Sequence, residues 1–253
     1  MNFFFPSILL LLPLFLGCFS DVSSLSKKLE QSPSSADSPS SSSASFDWER
    51  CETSSDCGSF MDTRDHHLYK FVTIGTQIWM AQNLNFDTLN GDGSWCYSNQ
   101  STSCDSYGRL YTWTTTMNVN SSYQSQTFGD SLNHQGLCPS GWHVPANSEW
   151  DTLLINLEEN PAASYLKSDS GWIVFNGISN YDSLGFHALP GGYYSTTGSF
   201  FYDLGYAGHW WTATEYESKR AYCAHLTYSS NSLQRTSDAK NIAYSLRCVK
   251  SIQ

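Results

Sequence analysis

From Tyr69 to Leu84 the stretch "YKFVTIGTQIWMAQNL" alternates apolar and polar residues around Gly75-Thr76, the pattern of a β-hairpin. The period then changes. Leu110, Trp113, Thr114 and Met117 fall at i, i+3, i+4 and i+7, which predicts a short helix. The run of three threonines, Thr114–Thr116, lowers helix propensity, so packing must hold it. Trp150, Leu153, Leu154 and Leu157 repeat the spacing and predict a second helix from Asn147 to about Glu158. Pro145 precedes it, Asn147 or Ser148 can accept its first free N–H groups, and Glu149 and Asp151 favour the positive end of its dipole. Strand patterns follow. "GFHALPGGYYSTTGSFFY" predicts a strand, a Gly-Gly turn and a hairpin, and "HWWTATE" and "AYCAHLTY" predict neighbouring strands. "IAYSLRCVK" predicts a last strand, with Tyr244, Leu246 and Cys248 on one face and Ser245, Arg247 and Val249 on the other. Strands, two helices, then strands with long loops make an α+β chain.

The segment ahead of these elements is of another kind. "MNFFFPSILLLLPLFLGCFS" is an apolar run broken by Pro6 and Pro13, a poor membrane span and a reasonable export signal. The small Gly17 before Cys18 points to lipoprotein processing, with Cys18 the acylated first residue. Residues 1–18 are thus an export signal of lipoprotein type. Residues 19–45, dominated by serine, bury too little to offset chain entropy and form a flexible spacer. Residues 46–253 form a single domain. The expected location is an outer-membrane or cell-surface lipoprotein, otherwise a secreted protein, touching membrane only through its lipid.

Composition narrows the partners. Aromatics make up 15% of the chain, charged residues 14%, and the net charge is −10. An acidic balance without basic clusters argues against nucleic acid and anionic membrane surfaces. Of eight cysteines, seven remain once Cys18 is acylated, an odd number. No C-x-x-C pair is present, so zinc spacing is missing and disulfides are the better reading.

"VTIGTQIWMAQNLNF", "CYSN…CDSYGRLYTW", "CPSGWHVPANSEWDTL", "LKSDSGW", "GFHALPGGYY", "WWTATE" and "SLRCVK" stand in an order and spacing similar to the Fibrobacter succinogenes major paralogous domain, from about Tyr69 to Lys250. More distantly this family resembles the C-type lectin-like fold, including its formylglycine-generating enzyme branch. The resemblance implies two short helices, small antiparallel sheets, chain ends that meet, and long ordered loops carrying any ligand site. It also implies a cell-surface role in binding plant polysaccharide. It pairs Cys138 with Cys248, closing a loop of about 110 residues worth roughly 4–5 kcal/mol. Cys96 and Cys104, and Cys51 and Cys57, are close enough to pair locally, which leaves Cys223 alone. The chain departs from the family at Ala146, where Ser or Thr is usual, so capping falls to Asn147. Cys223 replaces a residue that is more often not cysteine, and Cys51 and Cys57 lie ahead of the shared region.

Candidate chemistry is sparse. His143, between Trp142 and Val144, has no Ser or Cys nucleophile with a third orienting group beside it and reads as architecture. Cys223 is either a buried inert thiol or, as in formylglycine-generating enzymes, a catalytic one. Those enzymes need a cysteine pair and copper, and one cysteine is left over here. The sugar-binding triplets of calcium-dependent lectins are absent and "LNGDGSW" lacks a calcium-loop pattern, so no metal or other cofactor is expected. Aromatic residues crowd between Tyr193 and Trp211. Adjacent Trp210 and Trp211 must face opposite sides of a strand, so one should be buried and the other covered by a loop or free to stack on a sugar ring. The candidate ligand set is Trp210, Trp211, Tyr193, Tyr194, Tyr202 and Glu215, with Asp203 and His209 as further polar contacts. The expected function is a non-catalytic surface module that binds polysaccharide. The alternatives are a protein-interaction or adhesion module and, third, a copper/thiol oxidoreductase.

Overall fold

A computed structural model describes residues 46–252 other than 53, 89–90, 130 and 158–161. The export signal, Cys18 and the serine spacer lie outside the described residues. Two sheets organise the fold. Cys57–Met61 (β1), Leu68–Ile74 (β2) and Gln77–Met80 (β3) form an antiparallel meander, with the expected tight turn at Gly75-Thr76. The last strand, Val249–Ser251 (β12), adds to β3, so both ends of the domain share one sheet.

The second sheet has eight strands. Ser94–Trp95 (β4), Leu110–Thr112 (β5), Gly191–Ser195 (β6), Phe200–Leu204 (β7), Ala207–Glu217 (β8), Arg220–Thr227 (β9), Gln234–Ala239 (β10) and Ile242–Ser245 (β11) run in the order β10-β9-β8-β6-β11-β5-β4, with β7 on β6. It is mixed, since β8 pairs in parallel with β6 and with β11. The fold class is α+β as the pattern predicts, with this sheet larger than expected and not purely antiparallel. Four short α-helices occur among the described residues, Ser101–Tyr107 (α1), Trp113–Thr116 (α2), Asn147–Ile155 (α3) and Ala162–Leu166 (α4), where two were expected.

Strand β8 explains the paired tryptophans. It is packed on both faces, so Trp210 and Trp211 are each fully buried, in two different apolar clusters. Trp211 lies among Tyr111, Trp113, Tyr244 and Leu246, and its indole N–H donates to the Tyr111 carbonyl at 2.9 Å. Trp210 lies among Trp79, Trp150 and Phe186, and its N–H donates to Asn83 Oδ1 at 2.8 Å. The expectation that one of them could stack on a ligand is corrected. Covering both faces of β8 turns each indole into core.

The C-terminal segment is not one strand. It breaks at residues 246–248, where the chain crosses from the large sheet to the small one. The Leu246 and Cys248 carbonyls accept from Leu84 and Met80, and Cys248 is bridged to Cys138. Both predicted faces are buried, Arg247 included. Its Nε and Nη2 share Asn83 Oδ1 at 3.1 and 2.8 Å, Nη1 donates to the Phe186 carbonyl, and the ring of Phe186 lies 4.5 Å below the guanidinium. Burial pulls its pKa down to about 9, so it stays cationic at neutral pH.

The segment "CPSGWHVPANSEW" locks this corner. His143 exchanges both backbone hydrogen bonds with Val249 at 3.0 Å, and its Nε2 lies 2.7 Å from Glu149 Oε1. Glu149 Oε2 accepts the Ala146 N–H at 2.8 Å. The N-cap of α3 is therefore Ala146, not Asn147, and Glu149 supplies the reaching-back half of a capping box. The Asn147 N–H goes to Thr214 Oγ1 instead. Cys51–Cys57 and Cys96–Cys104 are the other disulfides among the described residues, and α1 begins inside the loop that the latter closes and carries Cys104.

Candidate functional site

The helix predicted over residues 110–117 is a strand followed by one helical turn. Leu110–Thr112 pairs with β4 and β11, and Thr112 Oγ1 then caps α2 by accepting the Thr115 N–H at 3.4 Å. Threonine hydroxyls thereby gather at one place. Thr112 Oγ1 lies 3.3 Å from Thr114 Oγ1 and 2.9 Å from Thr115 Oγ1. Together with Thr88, these three line a cleft of about 520 Å³. Thr88 Oγ1 is itself buried from solvent and has no hydrogen-bond partner.

One wall is aromatic. Trp95, at the end of β4, is half-buried and reaches the cleft. Its ring centroid is 4.6 Å from Tyr194, which lies 4.6 Å from Phe201, which lies 5.0 Å from Tyr97. Four rings in series hold the platform. Gly93 permits it to sit so close to the threonines, since at φ +75° an added Cβ would fall 2.1 Å from Thr115 Oγ1. Amides of Asn118, Gln124 and Asn241 rim the opening, with Thr196 of the β6–β7 turn, whose hydroxyl donates to the Asn241 carbonyl at 2.8 Å.

The residues expected at a ligand site scatter around this cleft. Tyr194 belongs to its aromatic wall. Tyr193 and Tyr202 stack on the opposite face of the β6–β7 hairpin at 5.1 Å, with Tyr202 exposed. The Gly-Gly pair is no turn, for it opens β6. Gly192 lies at φ +64°, with the Tyr202 carbonyl 2.1 Å from any added Cβ. His209 packs flat on Tyr244 at 4.9 Å, with Asp203 3.4 Å from its Nε2.

Glu215 is a strut and not a ligand contact of this cleft. Its Oε2 accepts the N–H groups of Phe128 and Gly129 at 2.9 Å, and its Oε1 pairs with Lys240 Nζ. Lys240, fully buried, also donates to the carbonyls of Tyr123, Gln126 and Ser218. The pair fixes the 121–129 loop that carries Gln124 to the rim. Cys223 is buried in β9 with Sγ 3.3 Å from Thr236 Oγ1, and burial pushes its thiol up to about 11. At neutral pH it is protonated, the unreactive form. No group of three or more metal-ligating side chains occurs among the described residues.

Residues 72–250 match the Fibrobacter succinogenes major domain. The chain belongs to this family. No curated protein and no solved structure matches it. In this Fibrobacter succinogenes major domain, Trp95, the threonines and the amide rim all fall inside the matched span, whereas β1 and the Cys51–Cys57 bridge precede it. Sequence reasoning missed Trp95 and the threonine floor. The signal available was "TWTTTMN", where four threonines stand in a segment given over to helix against their propensity.

Proposed function

We propose that this chain is a non-catalytic, exported binding module whose threonine cleft receives a segment of polysaccharide. The carrying observation is the pairing of a ring-backed Trp95 with the clustered hydroxyls of Thr112, Thr114 and Thr115 in one cleft. A sugar ring presents an apolar face to an aromatic side chain and hydroxyls, both donors and acceptors, to its surroundings. The cleft offers both. Three disulfides fit an oxidising compartment outside the cytoplasm. No helix among the described residues is long and apolar enough to cross a membrane. In this proposal Cys18 carries the lipid and residues 19–45 hold the domain off the membrane. The test is retention of the exported protein on insoluble plant polysaccharides, cellulose and xylan among them, beside the Trp95→Ala variant. Failure of every polysaccharide to retain the protein would end the carbohydrate reading.

A protein-adhesion reading has its own support. Ile173, Val174, Phe175 and Tyr206 are all exposed, with Phe175 and Tyr206 each packed edge-on against Tyr228 at 5.4 and 5.3 Å. Contiguous exposed apolar surface marks a contact with another macromolecule. Under this reading Val174→Asp abolishes attachment to the partner while Trp95→Ala leaves it intact.

A further inference from the structure

We infer that the threonine cleft selects uncharged polysaccharide and rejects polyuronates. This rests on the cleft being the ligand site. Among its described lining residues the one charged group is Asp92, exposed at the mouth. The cations nearby are committed elsewhere. Arg109, beneath β4, pairs with Asp87 at 2.5 Å and reaches Ser94 Oγ at 3.3 Å. Lys240, next to rim residue Asn241, is buried with its ammonium held by Glu215 and three carbonyls.

A uronate entering the cleft would therefore leave water without gaining a cation. Neutral donors on Asn118, Gln124 and Asn241 can hydrogen-bond a carboxylate, yet a neutral donor does not offset the desolvation of a full charge. Asp92 adds direct repulsion, and the chain's net charge of −10 keeps polyanions at a distance. A neutral sugar meets neither obstacle. Its hydroxyls both donate and accept, which suits a lining of threonine hydroxyls and side-chain amides.

The experiment measures affinity of the exported protein for soluble neutral xylan and glucan, each beside its carboxymethyl derivative, at about 20 mM and about 500 mM salt. At low salt the derivative should bind about tenfold more weakly, and high salt should narrow the gap by screening Asp92 and the net charge without closing it, because the desolvation cost remains. Asp92→Asn should narrow the low-salt gap. Equal binding of neutral and carboxymethyl polymer at low salt overturns the inference and leaves the polysaccharide reading standing. So does an equal loss of binding by an uncharged hydroxyethyl derivative of the same polymers, because steric exclusion would then be its cause. Binding of neither polymer removes the polysaccharide reading itself, and the inference with it.

Discussion

Removing the Cys138–Cys248 bridge should cost this domain far more than removing either local bridge. The three close loops of 110, 6 and 8 residues. Chain entropy scales with the logarithm of loop length, so the long bridge is worth about 4.8 kcal/mol and the short ones about 2.2 and 2.5 kcal/mol. Position adds to the difference. Cys138 and Cys248 are both fully buried, and Cys248 lies in the crossover that joins the two sheets. For a domain of this size each kcal/mol moves Tm by about 2–4 °C. The double variant Cys138→Ala, Cys248→Ala should therefore melt roughly 10–20 °C below wild type, and Cys51→Ala, Cys57→Ala roughly 5–10 °C below. Thermal unfolding followed by near-ultraviolet circular dichroism reads both. Equal losses, or a larger loss from the 51–57 pair, would refute the idea that closure of the long loop dominates.

Other outcomes follow from the same geometry. Trp95→Ala should weaken polysaccharide binding by about 2 kcal/mol, roughly thirtyfold, with Tm changed by less than a few degrees, as calorimetric titration and melting would show. Trp211→Ala should instead lose about 3–5 kcal/mol of stability, since that indole is core. Glu149→Ala strips the Ala146 N–H and His143 of one shared partner, and should cost about 2–3 kcal/mol in urea unfolding, with Glu149→Gln costing less than half of that. Cys223 titrates near 9 when unfolded and about 11 when folded, so the unfolded state loses its proton first and stability falls as pH rises from 9 toward 11. The Cys223→Ala variant lacks this loss, worth at most about 2–3 kcal/mol, and its Tm should decline less steeply than wild type over that range.

Where local pattern and tertiary surroundings agree, the fold was legible. The β2–β3 hairpin has clean alternation and a turn at Gly75, and β8 and β9 are bounded strands on either side of a short connection. The helix at Asn147–Ile155 was legible in its spacing, but its cap was not. Ala146 has no side-chain acceptor, and the compensation comes from Glu149 three residues on. The segment 110–117 misled because three residues of strand followed by one helical turn reproduce the i, i+3, i+4, i+7 spacing. Arg247 hid the break between β11 and β12, because a cation in an alternating run reads as facing water. Asn83, the Phe186 and His187 carbonyls, the Phe186 ring and the charge of Asp182, all far away in the chain, make its burial tolerable. The site was the least legible part. Trp95 sits alone among Gly, Asp and Ser, and the ring that supports it, Tyr194, is about a hundred residues downstream. The tryptophans that stood out, Trp210 and Trp211, stood out because β8 is covered on both faces.

Hydrogen–deuterium exchange of the exported protein, with and without a soluble neutral polysaccharide at saturating concentration, tests the central claim most directly because it locates the ligand. Protection should rise in the segments carrying Gly93–Trp95, Thr112–Asn118 and Asn241, with little change at Val174, Tyr206 or Tyr228. Protection confined to that exposed apolar patch, or none at Trp95 and the threonines, would contradict the assignment of the cleft.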